Sequence, residues 1–365
     1  MAPIRVLVVE DSPTVRNRIR EILAADADLD VVGVAEDGAQ AIEQCQRKRP
    51  DVITMDMVLP GMTGLVATTH IMAHCPTPIL VVSSSTNRAE LFTTYEALAA
   101  GAVDALDKPC GDESDADWEH RLRAAVKLVS RIRVITHPRA RLSALGRPAG
   151  TRGNGYAGVP RSDSDRGCRA VGIGASTGGP GAVVDVLRGL PARFPVPVLL
   201  VQHIGAPFGA AFVDWLGRQV GRPAALARDG EHLAAAAGRV VMAPPDRHLV
   251  VRDGRLRLTD DPERYSCRPS VDVLFESLAR ECGDAATACL LTGMGQDGAA
   301  GLLALRRAGG RTFAQDEATC AVYGMPREAA RLGAAEEVLA PVEIGRRLAL
   351  LGLARSPSLD RAGEP

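Results

Sequence analysis

The sequence has little of what would classify it at a glance. Aromatic residues make up only 3% of its 365 positions, so Leu, Val, Ile and Ala must fill any core. The formal net charge is -1, which gives no electrostatic reason to expect a nucleic acid or a membrane surface as partner. No segment approaches the roughly 18 uncharged apolar residues of a membrane span. The opening "MAPIRVLVVEDS" has too short an apolar run for a signal peptide and lacks a small-residue cleavage site. The eight cysteines are scattered singly, with no C-x-x-C pair. Reduced, mostly buried thiols in a cytoplasmic protein are therefore expected.

What is present is globular composition, 46% hydrophobic and 24% charged, in a chain long enough for two domains. Residues 1–134 alternate short apolar runs with helical patterns. The strand candidates are Ile4–Val9, Val31–Val34, Val52–Met55, Ile79–Val82 and Val103–Leu106. Five such βα units predict a doubly wound parallel sheet. Residues 135–167 lose the apolar period and become rich in Gly, Pro, Ser and Arg, as a flexible basic linker would. Residues 168–352 alternate again and predict a second doubly wound, mostly parallel α/β domain. In it "VVRDGRLRL" predicts a hairpin set on that sheet, through its D-G turn. Residues 353–365 read as a disordered tail.

Open α/β sheets bind ligands beyond the carboxyl ends of their strands. In the first domain those ends carry Glu10 and Asp11, then Asp56, Ser83 and Lys108. Converging carboxylates repel one another unless a cation joins them, and Mg²⁺ favours carboxylate, water and phosphate oxygens. The set suits a carboxylate that accepts a phosphoryl group. Asp56 would be the nucleophile, Glu10 and Asp11 would help hold the metal, and Ser83 and Lys108 would reach phosphate oxygens. Any one of these residues alone reads equally well as a turn or cap residue; the ordered set does not.

In the second domain "VGIGASTGGPGA" (171–182) admits two chemical readings. The dinucleotide fingerprint fails, because Thr177 stands at the third glycine's place and the next strand ends in Gln202 and His203 rather than an acid. The pattern Gly174-x-Ser176-x-Gly178 instead puts a serine on a sharp strand-to-helix turn whose glycines permit close approach. A serine nucleophile needs a base and an orienter. His203 ends a strongly apolar strand, and Asp297 lies in the turn "LLTGMGQDGAAG". Singly, these three are as well explained as an N-cap, a core histidine and a turn aspartate. Jointly they make a triad, in the order Ser…His…Asp rather than the Ser…Asp…His of α/β-hydrolases.

Both halves carry a resemblance. The acidic pair, Asp56, Ser83 and Lys108 with the following Pro109 resemble the receiver domain of two-component response regulators, which is flavodoxin-like. "GIGASTGGP", "VQHI", "VVMAPPDRHL", "RPSVDVLFES", "LLTGMGQDGAAGL" and "FAQDEATCAVYGMP" resemble the bacterial chemotaxis protein-glutamate methylesterase family. The resemblance implies phosphorylation of Asp56 by a chemotaxis histidine kinase with Mg²⁺ bound, and no cofactor for the ester reaction. It further implies Ser176 as nucleophile, His203 as base, Asp297 as orienter, Met294 as an oxyanion donor through its backbone N–H, and Thr177 in support. The substrates would be methylated glutamates on chemoreceptors, with deamidation of receptor glutamines besides. An unphosphorylated receiver covering the active site would explain the tether. Two departures stand out. Ala105 replaces the aromatic common three residues before the receiver lysine, and "HIGAPFG" replaces the frequent His-Met-Pro. A DNA-binding output would need a basic recognition helix, and a catalytically inactive adaptor would need only the fold.

Overall fold

The structure is a computed structural model that describes residues 2–84, 88–108, 115–132, 134, 169–205 and 208–353. The expected linker 135–167 lies outside the described residues, except that the chain divides into two compact units within it. The last helix runs on to Leu353, and the expected tail beyond it also lies outside.

The first unit holds strands β1 (Ile4–Val9), β2 (Leu29–Ala35), β3 (Val52–Met55), β4 (Ile79–Ser83) and β5 (Asp104–Asp107). They pair in parallel in the order β2-β1-β3-β4-β5. Helices on both faces explain why β3 and β4 are continuous apolar runs without alternation: every residue in them is buried. Helix entry is set locally. Pro13 opens the first helix, and the Asp37 and Thr63 side chains accept the N–H groups of Gln40 and Val66 at the next two. The strand order reverses between β1 and β3. A doubly wound sheet leaves its ligand crevice there, and Glu10, Asp11 and Asp56 follow those two strands.

The second unit holds β6 (Ala170–Ala175), β7 (Val198–Gln202), β8 (Ala224–Leu226), β9 (Val240–Met242), β12 (Ala286–Leu290), β13 (Arg311–Gln315) and β14 (Glu337–Leu339). They form one parallel sheet in the order β14-β13-β12-β6-β7-β9-β8. The expected hairpin exists as β10 (His248–Arg252) and β11 (Arg255–Thr259), but it does not join the large sheet: it forms a separate two-stranded sheet, with Arg255 bridged to His232. Here the order reverses between β6 and β12, so Ser176 and the 292–298 turn flank the crevice.

The helix Val271–Glu281 packs across β6 and closes the core below that crevice. Val271, Leu274, Phe275 and Leu278 are fully buried in it, each worth about 1.5–3 kcal/mol relative to exposure. This packing decides what Gly174 is for. The sequence suggested that the glycines open the nucleophile to a ligand backbone. A Cβ at Gly174 would instead meet Val271 Cγ1 at 2.2 Å and Leu290 Cδ1 at 3.1 Å. The glycine therefore admits the helix, not a ligand. Gly174→Ala should lower the thermal unfolding midpoint of the second unit, with a cost of about 1–3 kcal/mol for overpacking a closed site. An unchanged melting curve would show that Val271 can move aside freely.

Candidate active site

Ser176 follows β6 directly, and His203 follows β7. The two strands pair with Ala175 opposite Gln202, and the His203 N–H donates to Ala175 O at 3.0 Å. Register alone thus makes Ser176 and His203 neighbours at one sheet edge. The turn behind Ser176 is held from several sides. Its N–H donates to Thr292 O at 3.0 Å, while its carbonyl accepts from Gly179 N at 2.7 Å and from Gln202 Nε2 at 2.9 Å. Thr292 Oγ1 donates to Thr177 O at 3.0 Å. These bonds seat the turn after β12 against the turn after β6, across the reversal in strand order.

Asp297 is 2% exposed and sits at the N-terminus of the helix Val271–Glu281. Its Oδ1 accepts from Ser270 Oγ at 2.7 Å and Asp272 N at 3.1 Å. Its Oδ2 accepts from Val271 N at 2.7 Å and faces His203 Nε2 at 2.9 Å. Burial alone would raise this carboxyl, but the His203 contact, the Ser270 hydroxyl and the helix N–H groups outweigh it and hold the pKa below the ordinary carboxylate value. An ionised Asp297 cannot donate, so the shared proton sits on Nε2. Once the ring has lost its second proton, Nδ1 is its acceptor. The two nitrogens exchange the roles they have in the serine-protease template. Among the described residues no hydrogen bond joins Ser176 Oγ to His203. Such bonds are commonly loose before substrate binds.

Burial lowers the His203 pKa, but the Asp297 hydrogen bond and contact with the Cys267 thiol more than reverse this, leaving it raised to about 9. Cys267 Sγ lies 3.9 Å from Nδ1. Met294 is 51% exposed, and its backbone N–H has no partner among the described residues. The N–H of Gly179 is already bonded to Ser176 O and cannot serve as a donor to substrate. His248, the other histidine of this unit placed near an apolar run, is buried and structural. Its Nδ1 accepts from Ser270 N at 3.1 Å, and its Nε2 faces Pro262 O at 3.2 Å.

In the first unit Glu10, Asp11 and Asp56 bring carboxylate oxygens within 4.8 Å of one another. Lys108 Nζ lies 2.9 Å from both Glu10 Oε2 and Asp56 Oδ2. Burial raises the Glu10 and Asp56 carboxyls against the pull of Lys108. One ammonium does not balance three carboxylates, and an all-oxygen donor set suits a hard divalent cation. Ser83 is buried at the end of β4, where its Oγ donates to Glu90 Oε1 at 2.9 Å. Glu90, which also accepts from Ser84 N and Oγ, was not signalled by the sequence. Neither were Ser270, Gln202 and Thr292.

Comparison with known proteins agrees with this division. Residues 171–348 match the family described as CheB methylesterase, and residues 6–115 match the response regulator receiver domain. A protein-glutamate methylesterase/protein-glutamine glutaminase of Anaeromyxobacter dehalogenans is 46% identical, covering 95% of this chain and 98% of its own length. One of the same name from Myxococcus xanthus is 44% identical over 95% and 96%. The crystal structure of the Thermotoga maritima CheB methylesterase catalytic domain aligns with a TM-score of 0.48 at 33% identity, over 50% of this chain and 98% of that one. Among the described residues no helix is long and apolar enough to cross a membrane.

The electrostatics of the His203–Asp297 pair give a direct test. His203 should stay protonated well above its ordinary 6.5 and lose its proton near 9 in an NMR titration of the ring. Asp297→Asn removes the charge that favours the imidazolium, so the midpoint should fall. A midpoint unaffected by that substitution would mean the pair is not coupled.

Proposed function

Because the chain belongs to the protein-glutamate methylesterase/protein-glutamine glutaminase family, with a receiver domain ahead of its methylesterase domain, we propose that Ser176, His203 and Asp297 carry its reaction. The observation behind this reading is the Nε2–Asp297 hydrogen bond. It leaves the proton-accepting Nδ1 on a residue that register places beside Ser176. The substrate is a γ-glutamyl methyl ester on the helices of a chemoreceptor. Ser176 Oγ attacks the ester carbonyl as Nδ1 takes its proton. The Met294 N–H donates to the oxyanion, with Thr177 in support. Nδ1 returns the proton to the departing methoxide, and methanol leaves. Water then attacks the acyl-enzyme by the same route, giving glutamate and free Ser176. A receptor glutamine follows the same steps and loses ammonia. No cofactor is needed.

The first domain supplies control. Asp56 accepts a phosphoryl group from a chemotaxis histidine kinase. Glu10, Asp11 and Asp56 would hold a Mg²⁺, which would screen the charge of the incoming phosphate. Lys108 and Ser83 then contact its oxygens. The Ser83 hydroxyl has one proton, now given to Glu90. Donating it to a phosphate oxygen instead removes one of the three hydrogen bonds that Glu90, on the helix Arg88–Ala99, accepts from Ser83 and Ser84. This offers an exit for the signal that does not need an aromatic at Ala105. The phosphate brings up to about two negative charges. A histidine kinase as phosphodonor and receptor helices as substrate put this reaction in the cytoplasm, with no nucleic acid among its partners.

Two measurements test the reading. Ser176→Ala should abolish methanol release from methylated receptor, with a loss on the scale of 10⁴-fold or more typical of a triad nucleophile; turnover near the parent rate would exclude Ser176. Asp56→Ala should keep the unstimulated rate and lose all stimulation by a small-molecule phosphodonor. Stimulation that survives would place the phosphoryl group elsewhere.

A further inference from the structure

Cys267 has no part in the reaction above, yet it is placed against the general base. Of the described cysteines it alone is not buried. The turn that carries it is tightly fixed. Arg264 and Cys267 exchange backbone hydrogen bonds of 3.1 and 2.9 Å, with Tyr265 and Ser266 both left-handed between them at φ 52° and 58°. That is the geometry of a type I′ turn. Arg264 ties it to the helix Val271–Glu281 through Glu276 at 2.7 Å and the buried Asp272 at 3.6 Å. The result is a thiol sulfur 3.9 Å from Nδ1, the one imidazole nitrogen that Asp297 does not engage.

These are the parts of a transition-metal site. Tetrahedral zinc with bonds of about 2.05 Å to nitrogen and 2.3 Å to sulfur separates those two ligands by roughly 3.6 Å, so the observed 3.9 Å needs little adjustment. A metal-bound imidazole usually donates its other N–H to a carboxylate, which fixes the ring and strengthens the ligand. Asp297 already does this on Nε2. His203, Cys267 and Asp297 together bring ligand atoms within 4.8 Å of one another. The four hydrogen bonds on Asp297 assign it to the outer position, while Nδ1 and Sγ face the ion. A thiolate and an imidazole select a borderline ion such as Zn²⁺ over Mg²⁺ or Ca²⁺.

We propose that Cys267 Sγ and His203 Nδ1 form a reversible binding site for Zn²⁺ that switches the esterase off. On binding, the Cys267 thiol and the His203 Nδ1–H each lose a proton to solvent, two N/S bonds to the ion form, and water completes the shell. No oxidation state changes. While the ion is bound, Nδ1 has no lone pair for the Ser176 proton. This inference rests on the catalytic reading of His203 for its effect on rate, but not for the binding itself.

The test uses the full chain and two readouts. Added Co²⁺ should give a thiolate-to-metal charge-transfer band in the parent and in Ser176→Ala, and that part of the band should vanish in Cys267→Ala and in His203→Ala. Zn²⁺ should inhibit methanol release reversibly, with recovery on chelation. Measured against its own zinc-free rate, Cys267→Ala should raise the zinc concentration for half inhibition by at least about tenfold, a loss seen even when only an outer partner of a metal ligand is removed. A cobalt spectrum identical in the parent and Cys267→Ala would overturn the site, as would equal zinc inhibition of the two. If the parent released no methanol at all, the catalytic reading would fall, and the cobalt band would still decide the metal site.

Discussion

The second domain depends on one carboxylate at one helix end. Asp297 takes up the first N–H groups of the helix Val271–Glu281 and the hydroxyl of its cap Ser270, and it also receives His203. The helix end needs acceptors for its open N–H groups and favours negative charge. The histidine needs a fixed partner to hold one tautomer. A single ionised group meets both needs, so the helix that closes the core also fixes the catalytic ring. His248 extends the arrangement inward by accepting the Ser270 N–H.

This dependence makes core packing a matter of catalysis. Val271 both donates to Asp297 and packs its side chain on β6 at Gly174, two residues before Ser176. The proposed nucleophile and orienter therefore stand on opposite sides of one van der Waals contact. A shift of a few tenths of an ångström there changes the geometry of both. The helix cannot ride closer or farther without moving the turn that presents Ser176 or the carboxylate that aims His203.

Much of this was legible in the sequence, for a definable reason. Strand ends are readable because an apolar run must stop where the chain leaves the core, and the residue type at the stop reports what waits outside. Glu10, Asp56, Lys108, Ser176 and His203 are all of this kind, and the parallel βα alternation gave both sheets. What could not be read were partnerships across long separations. Ser270 has a local signal as a helix cap, but its bond to Asp297 spans 27 residues. Cys267 is one scattered cysteine among eight until folding brings it against a histidine 64 residues away. The hairpin's turn was plain, but nothing local told whether its outer edge would join the large sheet. The glycines were misread because a spacing pattern shows that room exists, not who occupies it.

The two domains place buried carboxylates at equivalent points of similar sheets and obtain opposite chemistry from them. Asp56 is raised by burial and has three donors: Lys108 at 2.9 Å, the Val58 N–H at 3.3 Å and the Met57 N–H. It retains lone pairs to attack with, and its negative charge is only partly balanced, so a cation or a phosphoryl group can still improve its surroundings. Asp297 is lowered despite deeper hydrogen-bonded enclosure, because four donors converge on it. It has nothing left to offer an electrophile and can only hold its neighbour in place. The strength and number of donors aimed at each carboxylate, as well as its depth of burial, therefore separate the nucleophile proposed for one domain from the orienter proposed for the other.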